Sequence, residues 1–210
     1  MNRIARTFAL LATLALGGIA PTLVAPPAAA SVSVAVQFEE LVQRSKAVAV
    51  VVPMDQRSVW EGRYIMTYTK VRVEDGIAGA ETGKEVWIVS RGGTVGNIGQ
   101  AVDGEPTFTV GHPTLAFLRE DVMDDKAVFA SGVFIVTARA QGQFPIVEDD
   151  TKERKKRIVS HAGVGLLLPP VARIPAVVKP LAREVLEGKT LDEARATISD
   201  TWRKLHVEKR

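Results

Sequence analysis

The stretch Tyr64-Ile65-Met66-Thr67-Tyr68-Thr69-Lys70-Val71-Arg72-Val73-Glu74 decides the fold class of this chain. Ile65, Thr67, Thr69, Val71 and Val73 share one parity, and Tyr64, Met66, Tyr68, Lys70, Arg72 and Glu74 share the other. Side chains alternate between the two faces of a strand, so this period of two reads as a half-buried β-strand. Just upstream, Glu61-Gly62 lies between Trp60 and Arg63 as a turn signal, and residues 57–74 read as a hairpin. Before it, Ala47-Val48-Ala49-Val50-Val51-Val52 is an apolar run rich in β-branched residues and stopped by Pro53. Such a run suits a strand buried on both faces. Phe38, Leu41 and Val42 recur at helical spacing, which predicts one or two turns of helix over Phe38 to Ser45.

Downstream, Gly76 and Gly79 punctuate a turn, and Val86 to Val89 reads as a strand. Gly92 to Gly99 is a glycine-rich loop. Short strands are expected over Thr107 to Val110, Thr114 to Leu118, Ala127 to Ala130, Val133 to Thr137 and Phe144 to Val147, with a charged turn over Asp121 to Lys126. Strands this short, separated by glycine-bearing turns, predict a small antiparallel barrel or sandwich over residues 31–150.

The remainder of the chain has a different character. Lys152 to Arg157 holds five bases in six positions, and Pro169, Pro170, Pro175 and Pro180 follow. Residues 151–188 therefore read as a basic, Pro-rich linker, with a short helix over Leu181 to Leu186 ended by Gly188. Residues 189–210 read as an amphipathic C-terminal helix. Thr190-Leu191-Asp192-Glu193 is a capping box, in which the Thr190 hydroxyl and the Glu193 carboxylate each serve the other's backbone N–H. Leu191, Ala194, Ile198, Trp202 and Leu205 form one face, and Asp200 and Lys204 are spaced as an ion pair. The apolar stripe with Trp202 needs a cover, either the barrel or a partner.

Residues 1–30 read as a secretory signal peptide. Arg3 and Arg6 give a positive start, Phe8 to Ala20 an apolar run, and Pro26 to Ala30 a small-residue site cut between Ala30 and Ser31. The expected product is exported to the periplasm or beyond, with no transmembrane anchor after cleavage. The whole chain has 27 Lys+Arg against 24 Asp+Glu, a net charge of +3. Residues 31–150 hold 11 bases and 17 acids, a net of −6, and residues 151–210 hold 14 and 7, a net of +7. An acidic β-segment and an export signal argue against nucleic acid as partner. The basic tail is expected to meet an anionic surface or its own acidic barrel.

The segments Arg44-Ser45-Lys46-Ala47-Val48-Ala49-Val50-Val51-Val52, Thr69 to Val89 and Phe108 to Leu118, with Ala140-Gln141-Gly142-Gln143-Phe144, carry a resemblance. Their strand order is similar to the netrin-module and tissue-inhibitor-of-metalloproteinase pattern. It more closely resembles a set of exported bacterial proteins of undefined role. The resemblance covers about residues 38–147 by pattern and implies an OB-like barrel with extra strands. The expected fold class is thus mainly β with C-terminal α, a small antiparallel OB-like barrel plus an amphipathic helix. Val51 or Val52 stands where the family has Gly, and Ala78 where it has Lys. The animal family places an N-terminal Cys on its target's zinc, whereas this chain has no Cys and would begin at Ser31.

Catalytic motifs are missing. His112, His161 and His206 have no metal-binding spacing, and Ser90, Ser131 and Ser160 lie in no G-x-S-x-G. Gly92, Gly93, Gly96 and Gly99 match neither a phosphate loop nor a dinucleotide turn, and Asp124-Asp125 and Asp149-Asp150 match no calcium loop. No catalytic residue, cofactor or metal is assigned. The candidate binding surface comprises the loop residues Gly92, Gly93, Thr94 and Asn97, the strand aromatics Tyr64 and Tyr68, the basic Lys155, Lys156 and Arg157, and Trp202. The expected function is an exported, non-enzymatic binding or envelope-accessory protein with a protein or envelope-surface partner. The alternative is a secreted protease inhibitor or protease-associated domain, and after it a hydrolase whose site is assembled across loops.

Overall fold

A computed structural model describes residues 32–120, 133–149, 155–170 and 179–207. In chain order, β1 spans Val32–Val34, α1 Phe38–Arg44, β2 Ala47–Glu61, β3 Tyr64–Ala78, β4 Glu85–Arg91, β5 Gly93–Val95 and β6 Ile98–Gln100. Then come β7 Thr114–Glu120, β8 Val133–Val136, β9 Gln143–Glu148, β10 Lys156–Ile158, β11 Leu166–Leu168, α2 Ala182–Leu186 and α3 Leu191–Val207.

The protein is mainly β, with one large sheet and a C-terminal helix. Seven strands follow the order β10-β9-β7-β2-β3-β4-β8, and β8 also pairs with β7. β2 and β3 form the long hairpin that the alternation predicts, and it closes at Glu61↔Tyr64. The loop is Gly62-Arg63, with Gly62 at φ 59°, so glycine occupies the position where a two-residue hairpin turn needs a positive φ. β4 pairs parallel with β8, while β7 runs antiparallel to β2, β8 and β9.

The two parities of the strands sort into separate cores. Ala47, Ala49, Val51, Val71, Val73, Ile88, Ala116 and Leu118 pack with Val136 and Phe108 on one face. On the other face, Val48, Leu115 and Phe117 meet Leu41 and Val42 of α1, Leu186 of α2, and Ala194 and Ile198 of α3. β2 is therefore buried on both faces, as its unbroken apolar run requires. Each fully buried Leu, Val or Ile contributes roughly 1.5–3 kcal/mol relative to exposure, so this second layer is a main source of stability.

α3 covers the sheet of its own chain. Ala194 and Ile198 are fully buried, and Leu191, Trp202 and Leu205 pack against the same cluster. The capping box forms: the Thr190 N–H donates to Glu193 Oε2 (2.8 Å), and the Glu193 N–H to Thr190 Oγ1 (3.3 Å). Asp200 pairs with Arg203, one turn away at i+3, rather than with the Lys204 that its spacing suggested. Among the described residues, ion pairs join the basic C-terminal part to the acidic part at Lys179–Glu39 (2.5 Å), Arg157–Asp149 (2.7 Å) and Arg195–Asp75.

Two strand expectations need correction. β2 does not stop at Pro53 but runs on to Glu61. Its ladder with β7 ends at Val51↔Thr114, and its pairing with β3 shifts register between Pro53 and Asp55, so the missing proline N–H falls at a bulge. Thr107 to Val110 is not a strand. At Thr107 and Phe108 the backbone partners are side chains instead: Gln143 holds both the N–H and the C=O of Thr107, and Gln56 Nε2 donates to Phe108 O. This leaves Phe108 free to pack into the cluster of Ala49, Val71 and Ile88. The expected linker holds β10 and β11 before its prolines and α2 after them, with β10 paired to β9 and β11 parallel to β1. The signal-peptide reading, the turn at Asp121 to Lys126 and the strand at Ala127 to Ala130 lie outside the described residues.

Candidate ligand cleft

The candidate residues read from the sequence fall in three places. The first is the hairpin β5–β6 with the outer half of β3. Gly92 is buried, its N–H donating to Ile65 O (2.7 Å), and its carbonyl accepts from Thr67 Oγ1 (2.6 Å). Gly93 sits at φ 132°, and a Cβ there would lie 2.2 Å from Thr67 Oγ1 and 2.5 Å from Ser58 Oγ. Gly93 thus serves close packing of β5 onto the β2–β3 hairpin, whereas a Cβ on Gly92 would meet the Gln100 carbonyl of β6 at 2.7 Å. Thr94, paired with Gly99, and Asn97, in the turn, are both exposed. Tyr64 is exposed, with the Arg63 guanidinium 5.2 Å from its ring centre, but Tyr68 is buried with Met66 and Val89 and donates its hydroxyl to Glu61. The two tyrosines therefore do not form one open stacking surface.

The second place is β10. Lys155 and Lys156 are exposed, and Arg157 is bound to Asp149 and donates to Gly188 O (3.0 Å). The third is α3, where Trp202 packs on the core and stacks on His206, ring centres 3.8 Å apart.

Among the described residues, which leave out Ser131, the histidines and serines do not assemble a catalytic set. The neutral ring of His161 accepts the Gly163 N–H at Nδ1 (3.0 Å), so its proton sits on Nε2 and is donated to Thr107 Oγ1 (2.8 Å). A nitrogen that donates to the hydroxyl cannot act as its base. Burial pushes the His161 pKa below its ordinary value, which keeps this neutral form. Ser160 Oγ donates to Glu187 Oε2 (3.1 Å), a carboxylate that its contact with Arg183 holds below the usual range. Among the described residues no three His, Asp or Glu side chains group as a metal site.

A cleft of about 630 Å³ lies elsewhere, where β1, α1, β7, β8 and the loop before β9 meet. Sequence reasoning missed it. Its charged lining is Arg44, Arg91, Arg119 and Arg139 against Glu40 and Glu105, a local net of +2 within an acidic segment. Arg44 pairs with Glu40 at 3.0 Å, and Arg139 with Glu105 at 2.7 Å. Glu105 Oε2 also accepts the Arg91 N–H (3.3 Å). Among the described residues no carboxylate pairs with the side chains of Arg91 or Arg119. Arg119 Nε is buried without a hydrogen-bond partner among the described residues. Leaving a buried donor unsatisfied costs about 1–3 kcal/mol, more when it is charged. The signal was present in Leu115, Phe117 and Arg119, which share one parity: an arginine continues a buried face.

The backbone at the same cleft is strained. Ala138 and Arg139 both hold φ 57°, and neither is glycine. Left-handed backbone costs an ordinary residue roughly 1–2 kcal/mol, so two in succession are kept only where their surroundings enforce them. Gln141 clamps the facing wall: it accepts the Val36 N–H at Oε1 and donates to Val34 O from Nε2, both at 2.9 Å.

Comparison with protein-family models, with curated proteins and with solved structures finds no match to this chain.

Proposed function

We propose that this is an exported, non-enzymatic binding or envelope-accessory module whose ligand sits in the arginine-lined cleft. The observation that carries the reading is the buried Nε of Arg119, without a partner among the described residues, in a cleft of about 630 Å³. That volume falls within the range of small-molecule sites, which are concave and carry a few placed polar groups. The scaffold in this reading is an OB-like barrel. It is supported by the circuit of pairings β2–β3–β4–β8–β7–β2, in which only β4–β8 is parallel. The export part rests on the signal-like residues 1–30.

The test is a small-molecule thermal-shift screen on residues 31–210, run beside a Ser33→Trp variant that places an indole at the cleft wall. A ligand that binds only the folded state raises Tm in proportion to its occupancy. Ligands that shift the native protein and not Ser33→Trp support the cleft. Ligands that shift both equally refute it.

A further inference from the structure

We infer that the cleft takes an amphiphilic organic anion, its phosphate or carboxylate held by Arg119 and Arg91 and its apolar body lying on Met66, Val89 and Ile135. This deepens the proposed function and rests on its placement of the ligand. Three observations converge on it.

The first is charge. Of the four arginines that line the cleft, two are neutralised by Glu40 and Glu105, leaving the Arg91 and Arg119 side chains without an acidic partner among the described residues. A guanidinium presents a planar fork of donors that matches the oxygens of a carboxylate or phosphate two at a time. Arg119 emerges from a strand whose other same-parity side chains, Leu115 and Phe117, are fully buried, so its position is set by the core.

The second is the apolar wall. Met66 and Val89 are 6% and 3% exposed and belong, with the partly buried Ile135, to one cluster on β3, β4 and β8. All three also line the cleft beside the arginines. A cleft that offered only charge would suit inorganic phosphate. This one has room for a body several times larger and an apolar surface to receive it.

The third is rigidity. The arginine-bearing wall is held by the Arg139–Glu105 pair, by Arg139 Nη2 donating to Asp103 O (2.8 Å), and by the left-handed backbone of Ala138 and Arg139. Such positioning reduces the ordering cost of binding.

The experiment uses residues 31–210 and three probes below their micelle concentrations: octyl phosphate, inorganic phosphate and the neutral octyl glucoside. Binding is read by titration calorimetry and by Tm. Octyl phosphate is expected to bind most tightly, inorganic phosphate at least tenfold more weakly, and octyl glucoside not at all. Arg119→Met, which retains the stem volume, and Arg91→Gln, on an exposed side chain, are each expected to weaken octyl phosphate at least tenfold. Inorganic phosphate binding as tightly as octyl phosphate would remove the apolar half of the inference. Octyl glucoside binding equally well, with both variants unaffected, would overturn the anion class and leave the cleft as a ligand site. If all three probes fail while the library screen yields cleft ligands, the anion class falls and the proposed function stands. If both fail, both fall.

Discussion

Gln143 closes both backbone positions of Thr107: its Oε1 accepts the Thr107 N–H at 3.1 Å, and its Nε2 donates to the Thr107 carbonyl at 2.7 Å. One buried side chain does for this residue what a neighbouring strand would do. Two positions earlier, Gln141 does the same for Val34 and Val36. The two amides, on either side of Gly142, tie non-adjacent stretches of chain to one short turn that borders the cleft. Replacing Gln143 by Ala strands a donor and an acceptor at a site 2% exposed. At about 1–3 kcal/mol each, the expected loss is roughly 2–6 kcal/mol, read from urea unfolding. A loss under half of one such bond would show that the clamp is dispensable.

His161 is expected to make stability fall in mild acid. Burial lowers its pKa in the folded protein below the ordinary 6.5, while the unfolded ring titrates near that ordinary value. Below it the unfolded chain binds the proton more readily, so stability is full above that pH and declines as pH drops toward the folded value. Urea midpoints at about pH 7.5 and 5.5 should differ in the native protein and differ less in His161→Gln. An unchanged slope in the variant would assign the acid loss to other groups.

The α3 cap should be visible as a stability increment. Thr190→Ala removes the hydroxyl that accepts the Glu193 N–H, an effect of about 1 kcal/mol for such caps. The Glu193 carboxylate is held below its usual pKa by its bonds to Thr190, so its share is present at neutral pH and lost as pH falls through the folded value. The difference between native protein and Thr190→Ala should therefore shrink in acid.

Ile198→Ala tests whether α3 belongs to the core. Ile198 is fully buried in the cluster that also holds Leu41, Phe117 and Leu186. Truncation there is expected to cost about 2–5 kcal/mol. A cost below about 1 kcal/mol, typical of surface positions, would mean the helix detaches in solution.

Gly93→Ala should destabilise by roughly 1–3 kcal/mol, because the added methyl meets Thr67 and Ser58 where the backbone is already at φ 132°. Pairing it with Ser58→Gly removes one of the two clashes and should recover part of the loss, measured by the same unfolding curves.

Local pattern made much of this architecture legible. Period-two alternation located β3, and an unbroken apolar run located β2. A Thr-x-x-Glu box with a 3.6-residue stripe located α3. These signals are legible because each depends on residues close in sequence. Pro53 misled for the same reason: proline ends a ladder only where its missing N–H would have been used, and the neighbouring strand decides that. Thr107 to Val110 has the composition of a strand and no strand beside it.

The cleft belongs to the other category. Arg44, Arg91, Arg119 and Arg139 are far apart in sequence and unremarkable singly. The sequence by itself determined a mainly β chain with two sets of strand faces to bury and a capped C-terminal helix. Only the tertiary structure decided that the helix stripe, Trp202 included, covers its own sheet, and that two of the four arginines lack a carboxylate among the described residues. The physical reason is that hydrogen-bonding propensity and burial periodicity are local properties of a chain. Whether a charge is compensated depends on which distant groups the packing of the core brings within a few ångströms of it.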